Sequence, residues 1–106
     1  MIAKTPFEKA KGLMNQYIDK NDAMFFVFET PANYAFWMKN TLEPLDIIWL
    51  DGNKQITFIS KNTPICKNDP CPKYSPDKKS LYVLEIKGGL ADQIGLQIGD
   101  KLEFSL

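Results

Sequence analysis

The sequence predicts a mainly β fold with a minor helical part, an antiparallel β-sandwich or distorted barrel of about six strands with two short helices. Short apolar runs are separated by proline, glycine, asparagine and aspartate clusters, the punctuation of hairpins and turns. Several of these runs are apolar on both alternating faces, as strands buried between two layers are. Strands and helices do not alternate regularly, which excludes a doubly wound parallel sheet.

The first element is a helix. Thr5-Pro6-Phe7-Glu8 places a capping threonine, a proline suited to the first helical position and a glutamate at the capping-box position. Helical spacing of Phe7, Ala10, Leu13 and Met14 extends it to residue 13 or 14, with Gly12 weakening its end. Residues 23–29 form a strand with Met24, Phe26 and Phe28 on one face and Phe25 and Val27 on the other, a central rather than an edge position. A second strand spans 34–39 after Pro31, and a third spans 45–50 after Pro44. Asp51-Gly52-Asn53 turns the chain into a fourth, 55–60. Residues 62–79 hold four prolines and both cysteines, a loop long enough to be functional or mobile. A fifth strand spans 81–87. Gly88-Gly89 bends it into a short helix ending near Ile94, with Gly95 at its C-terminus, and Gly99-Asp100 leads to a last strand over 102–106.

The chain has 106 residues, the size of one domain, 1–106. Size scaling gives a folded surface of roughly 6,000 Å², so about two thirds of the open chain's surface is buried and a core forms without metals. All 13 basic residues are lysine, and there is neither histidine nor arginine. That composition excludes histidine bases, Ser-His-Asp triads and bidentate arginine clamps. Thirteen acids balance the lysines, so no net field favours nucleic acid. Two cysteines do not make a closed zinc site, and neither metal nor cofactor is expected. Lys87-Gly88-Gly89 lacks the rest of a phosphate-loop pattern and is a strand-to-helix bend.

Cys66-Lys-Asn-Asp-Pro-Cys71 admits two readings. In an oxidising compartment the pair closes a disulfide worth about 2 kcal/mol by loop entropy; in a reducing cytosol both are free thiols. No apolar run approaches the ~20 residues of a membrane span. Met1-Ile-Ala-Lys-Thr lacks the apolar region of a signal peptide, so the chain is either cytoplasmic or begins after a removed leader.

Candidate site residues concentrate in Phe36-Trp37-Met38-Lys39-Asn40-Thr41 and Pro44-Leu45-Asp46-Ile47. Lys39, Asn40 and Asp46 interrupt two apolar strands near their connection; paired as a hairpin, those strands bring Lys39 and Asp46 together. The structural interpretation makes Asp46 an acceptor for turn amides or a partner of Lys39, with Asn40 holding the turn. The functional interpretation is a polar cluster at one end of the β layers, where ligands bind. Trp37, Trp49, Tyr34 and Tyr74 can stack on flat ligands, with core packing favoured for both tryptophans and Tyr74 freer in the long loop. Asp46 and Glu85 are the acids best placed for a raised pKa, since each lies within an apolar strand pattern.

Thr5-Pro6 through Lys11-Gly12-Leu13-Met14, Met24-Phe25-Phe26-Val27-Phe28, the Phe36–Thr41 and Pro44–Ile47 blocks, Tyr82-Val83-Leu84-Glu85-Ile86 with Gly89, and Gly95 with Gly99-Asp100 resemble the bacterial and archaeal family called domain of unknown function 192. The match covers nearly the whole chain. The resemblance implies a mainly β sandwich or distorted barrel, and an exported, periplasmic or otherwise extracytoplasmic protein, since many members carry a leader. It also implies that part of an N-terminal strand before the helix is missing here. Lys11 stands where the family usually has arginine, which keeps the charge and loses the planar fork.

Three functions follow. The first is a non-catalytic ligand-binding or accessory module, with Trp37, Lys39, Asn40, Asp46 and Tyr74 as binding residues for an unidentified small molecule or protein. The second is a carboxylate-dependent enzyme using Asp46 or Glu85. The third is a protein-interaction module acting through the loop from Pro64 to Lys79. No residue pattern specifies an oligomeric state.

Overall fold

Five strands make one continuous sheet in the order β1-β2-β7-β4-β5, and β3 and β6 form a separate two-stranded sheet. The computed structural model describes residues 1–105. Its elements are β1 (Ile2–Ala3), α1 (Pro6–Lys11), β2 (Met24–Ala32), β3 (Phe36–Trp37), β4 (Leu45–Leu50), β5 (Ile56–Thr63), β6 (Lys73–Tyr74), β7 (Ser80–Lys87) and α2 (Leu90–Ile94). The fold is mainly β with two short helices, as the sequence predicts, and it is layered rather than a closed barrel. All large-sheet pairs are antiparallel except β1 with β2.

Both faces of the large sheet are dry. On one face Met24, Phe26, Ile47, Trp49 and Val83 pack with Leu13, Ile18 and Met38, and Phe36 and Tyr74 of the small sheet lie against them. On the other face Ile48, Leu50, Leu84 and Ile86 pack with Ala91 of α2 and with Leu102 and Phe104. Strand β4 lies between its two partners with all six residues buried, so its side chains read as a continuous apolar run broken only by Asp46. The folded surface of 6357 Å² agrees with the size-scaling value of roughly 6,000 Å².

The capping box forms as the sequence demands. The Glu8 amide donates to Thr5 Oγ1 at 3.1 Å, and the Thr5 amide donates to Glu8 Oε1 at 3.0 Å. The Thr5 backbone amide most of all, and then the Lys4 amide and the Thr5 side chain, hold the Glu8 carboxyl below its usual range. Helix α1 stops at Lys11, earlier than the apolar spacing predicts, because Gly12 takes φ +48° and ψ −127°, a conformation that leaves the helix and favours glycine. Ile2–Ala3 pair with Phe25 and Phe26, an element the sequence analysis did not assign.

Two strand expectations are corrected. The 34–39 segment does not form a hairpin with β4. Its two-residue ladder pairs Phe36 with Tyr74 and Trp37 with Lys73, inside the long loop, while Lys39 makes a single bridge with Cys66. The short partner limits the strand to two residues. Residues 102–105 form no strand, although Leu102 and Phe104 alternate as one would: their side chains seal the second core while the backbone makes one bridge, Gln55 with Lys101. Leu106, the end of that expected strand, lies outside the described residues. Strand β5 runs on to Thr63 with two register shifts against β4, and its first residue is held by the 99–100 turn, Gly99 N donating to Ile56 O and Ile56 N to Asp100 O, both at 2.8 Å.

Cys66 and Cys71 form a disulfide with their Cα atoms 5.8 Å apart. It closes the loop next to β6, and Asp69 within it pairs with Lys39 at 3.0 Å. Among the described residues, no helix is long and apolar enough to cross a membrane.

Asp46 ties the second face together. Its Oδ1 accepts from the amides of Asn62 at 2.7 Å and Gly89 at 3.1 Å, and its Oδ2 accepts from Ala91 at 2.8 Å. The N-cap of α2 is Gly89, which has no side chain to cap with, so a carboxylate from the neighbouring strand satisfies the first amides of that helix. Gly88 allows the close approach, because a Cβ there would meet the Pro44 carbonyl oxygen at 2.8 Å. Asp46→Asn places an amide nitrogen where an acceptor is needed and removes the charge. We expect a loss of about 2–3 kcal/mol, read as a fall in melting temperature on the order of 10 °C with the native circular dichroism spectrum retained.

Candidate functional site

The best-formed cleft opens on the first face of the sheet, between α1 and the segment that carries β3, with a volume of about 300 Å³. One wall comes from α1 and the turn after it: Lys9, Lys11, Gly12 and Met14. The opposite wall is Tyr34, Phe36, Trp37, Lys39 and Thr41. Phe26 and Phe28 of β2 and Glu85 of β7 form the floor.

The aromatic walls are locked by one another. Phe26 and Phe36 meet edge to face with centroids 4.7 Å apart, and Phe28 stacks on Tyr34 at 3.5 Å. The Tyr34 hydroxyl donates to the Thr30 carbonyl, and its own carbonyl accepts from Trp49 Nε1 at 2.9 Å. Three lysines lie over the rings: Lys9 Nζ is 4.4 Å from the Phe28 centroid, and Lys39 Nζ and Lys73 Nζ are 5.2 and 6.0 Å from that of Trp37.

Glu85 is the unusual group. It is 4% exposed, and its cross-strand neighbours are Met24 on β2 and Ile47 on β4, both apolar. Among the described residues no hydrogen bond or ion pair serves its carboxyl, and burial alone pushes its pKa up to about 8. The carboxyl is therefore an uncharged acid at neutral pH, able to donate a hydrogen bond into the cleft or to lose a proton there. Gly12 makes the room. A Cβ at that position would sit 3.3 Å from Phe26 Cζ and 3.7 Å from Glu85 Oε1.

The structure separates residues that the sequence grouped. Trp37 and Lys39 line the cleft with Glu85. Asn40 sits in the left-handed region at φ +58°, its amide donating to Cys66 O and its carbonyl accepting from Asn15, so it holds a turn. Tyr74 pairs opposite Phe36 and is half-buried against the first core. Asp46 points to the opposite face of the sheet and does not meet Lys39, whose partner is Asp69. Asp46 and Glu85 are divided by the sheet: Asp46 opposes Ile86 and Glu85 opposes Ile47, so the two acids alternate to different sides. Trp49 is fully buried. The cleft's use of Lys9, Gly12, Phe26, Phe28 and Phe36 escaped sequence reasoning, because those positions look like ordinary helix surface and core. No group of three or more His, Cys, Asp or Glu among the described residues is placed to hold a metal ion.

Two outcomes follow from this geometry. The unfolded carboxyl of Glu85 releases its proton near 4.5 and the folded one near about 8, so between those values the folded state holds an extra proton and stability falls as pH rises. Urea midpoints measured from about pH 5 to about pH 8 should decline, and Glu85→Gln should remove most of that decline; an unchanged slope in the variant refutes the assignment. Gly12→Ala forces a side chain into a positive-φ turn and toward Phe26. Its expected cost is about 1–2 kcal/mol, measured by the same titrations.

The DUF192 family, described as an uncharacterised ACR, matches residues 1–104. The chain is 27% identical to a UPF0127 protein of Thermococcus sibiricus over 99% of its own length and 65% of the relative's. It is 28% identical to one from Thermococcus kodakarensis over 98% and 63%, and so spans less than two thirds of either protein. A Pyrococcus abyssi UPF0127 protein is 30% identical over 97% of this chain and 83% of its own length. Among solved structures, a Novosphingobium aromaticivorans protein of unknown function superposes with a TM-score of 0.89 at 36% identity, covering 97% of this chain and 72% of that one. A Sinorhizobium meliloti protein, provisionally described as a transcription regulator, superposes with a TM-score of 0.88 at 28% identity, over 96% and 78%. With the family match spanning residues 1–104, and so the whole cleft lining, this chain belongs to the DUF192 (UPF0127) family.

Proposed function

We propose that the chain is a small-molecule binding module and that its ligand occupies the cleft above Glu85. The observation that carries this reading is a buried carboxyl without a protein partner, facing a preformed space walled by aromatic rings. The Glu85 oxygens reach the cleft, since no sealed side-chain oxygen among the described residues lacks a partner, and such convergent apolar and polar groups are the usual anatomy of a ligand site. Of the residues the sequence nominates, Trp37 and Lys39 belong to this site. Asn40, Asp46 and Tyr74 support the scaffold.

A second reading has one observation in its favour. A carboxyl that titrates near about 8 is suited to proton transfer at neutral pH, so catalysis, if present, falls to Glu85 and not to Asp46, whose oxygens are committed to backbone amides. The disulfide supports an extracytoplasmic, oxidising compartment. A nucleic-acid role finds no support in 13 lysines offset by 13 acids.

A fragment library of neutral, anionic and cationic compounds, screened by tryptophan fluorescence, tests the proposal. Hits should perturb the wild type and be lost in Ala35→Phe, which fills the cleft from an exposed position on its lining. Hits that bind Ala35→Phe equally well place binding elsewhere and defeat the reading. Turnover of any hit that disappears in Glu85→Gln, with binding retained, promotes the catalytic alternative.

A further inference from the structure

The polar inventory of the cleft narrows its ligand. Three lysines line it, Lys9, Lys11 and Lys39, and the ammonium groups of Lys9 and Lys39 lie over its rings. Lys39 is shared with Asp69, whereas Lys9 and Lys11 have no carboxylate partner among the described residues. The other polar side chains are few. The Tyr34 hydroxyl is occupied by the Thr30 carbonyl, Thr41 is buried, and the lining contains no Asp, Asn, Gln or Ser. A sugar or polyol, which needs acceptors as well as donors around its hydroxyls, finds few side-chain acceptors here. A cation meets mostly like charge, because burial keeps the single acid of the lining predominantly protonated at neutral pH.

Resting on the cleft-binding reading, we infer that the ligand is a small organic carboxylate with a ring-sized apolar body. The carboxylate pairs with Lys9, the body lies between α1 and the Phe36–Trp37 wall, and a hydrogen-bond acceptor on it accepts from the Glu85 carboxyl. The volume of about 300 Å³ stands at the small end of ligand sites, which suits one ring and a short side chain. Glu85 then acts as a selector as well as a donor. The groups that face it are Met24 and Ile47 from the flanking strands, Gly12 with Lys9 and Lys11 from the α1 side, and Tyr34 and Lys39 from the opposite wall. Ionisation of Glu85 puts a negative charge beneath the ligand and takes away its donor, so both effects weaken anion binding in alkali.

Phenylacetate, phenethylamine and 2-phenylethanol carry the same ring with negative, positive and no charge. Each is titrated into the disulfide-bonded protein while the two tryptophan indole N–H resonances are followed. The cleft residue Trp37 should respond and the core residue Trp49 should not. Phenylacetate should bind at least about tenfold tighter than phenethylamine, and the joint variant Lys9→Glu, Lys11→Glu should abolish the preference. Wild-type affinity for phenylacetate should fall as pH crosses about 8 and stay flat in Glu85→Gln. If the amine or the alcohol binds as well as the acid, the anion inference is overturned while the cleft reading stands. If none of the three moves Trp37 at about 10 mM, the ring-bearing carboxylate inference is overturned, and the cleft reading is decided separately by the library screen against Ala35→Phe.

Discussion

The Asp46 carboxylate is the fixed point of the fold. Three backbone amides converge on it, from the end of β5, the bend after β7 and the first turn of α2. An ionised acceptor that is fully enclosed and fully matched is strong and specific, and removal of any one donor or of the charge leaves a buried polar group unserved. Because Asp46, the end of β5 and the β7–α2 junction are distant in sequence, the clamp closes only when β4, β5 and β7 are in register. It thereby sets the position of α2 on the second face, and with it the depth of the core beneath. The five-residue helix is too short to persist alone.

Register then dictates the chemistry on the other face. Glu85 lies opposite Ile47 and Asp46 opposite Ile86 on adjacent strands, so the alternation of side chains sends one acid to each side of the sheet. Both are buried, yet their circumstances are opposite. Asp46 is surrounded by donors and serves structure. Glu85 has apolar neighbours and an open space above it, which Gly12 preserves by leaving the helix at a positive φ. A one-residue slip of either strand would carry its acid to the other face of the sheet.

Much of this architecture is legible in the residues. Pro44 and the Asp51-Gly52-Asn53 turn bound β4 where the apolar run begins and ends, and the Thr5–Glu8 box starts α1 at its first residue. The break that Glu85 makes in the apolar pattern of β7 is equally visible. The cleft is not, because its walls come from α1 and from the 34–41 segment, whose approach depends on a two-residue ladder with β6. So short a pairing leaves no periodic trace, and Lys39 finds its carboxylate at Asp69 across the disulfide loop rather than at the nearer-seeming Asp46. Local signals carry the elements; the site depends on contacts between them.

The margins of the large sheet also bear on how the protein behaves in a crowded solution. One margin consists of the two residues of β1 and then the uncovered end of β2, which Pro31 and a register shift break. The other, β5, is bent by two register shifts, carries Lys61, and has its first residue already bonded to the 99–100 turn. Neither border presents the long, flat row of free amides and carbonyls on which foreign strands assemble. A chain that is 44% hydrophobic and has no net charge lacks electrostatic repulsion between its copies, so these blunted borders are its main protection against edge-to-edge aggregation.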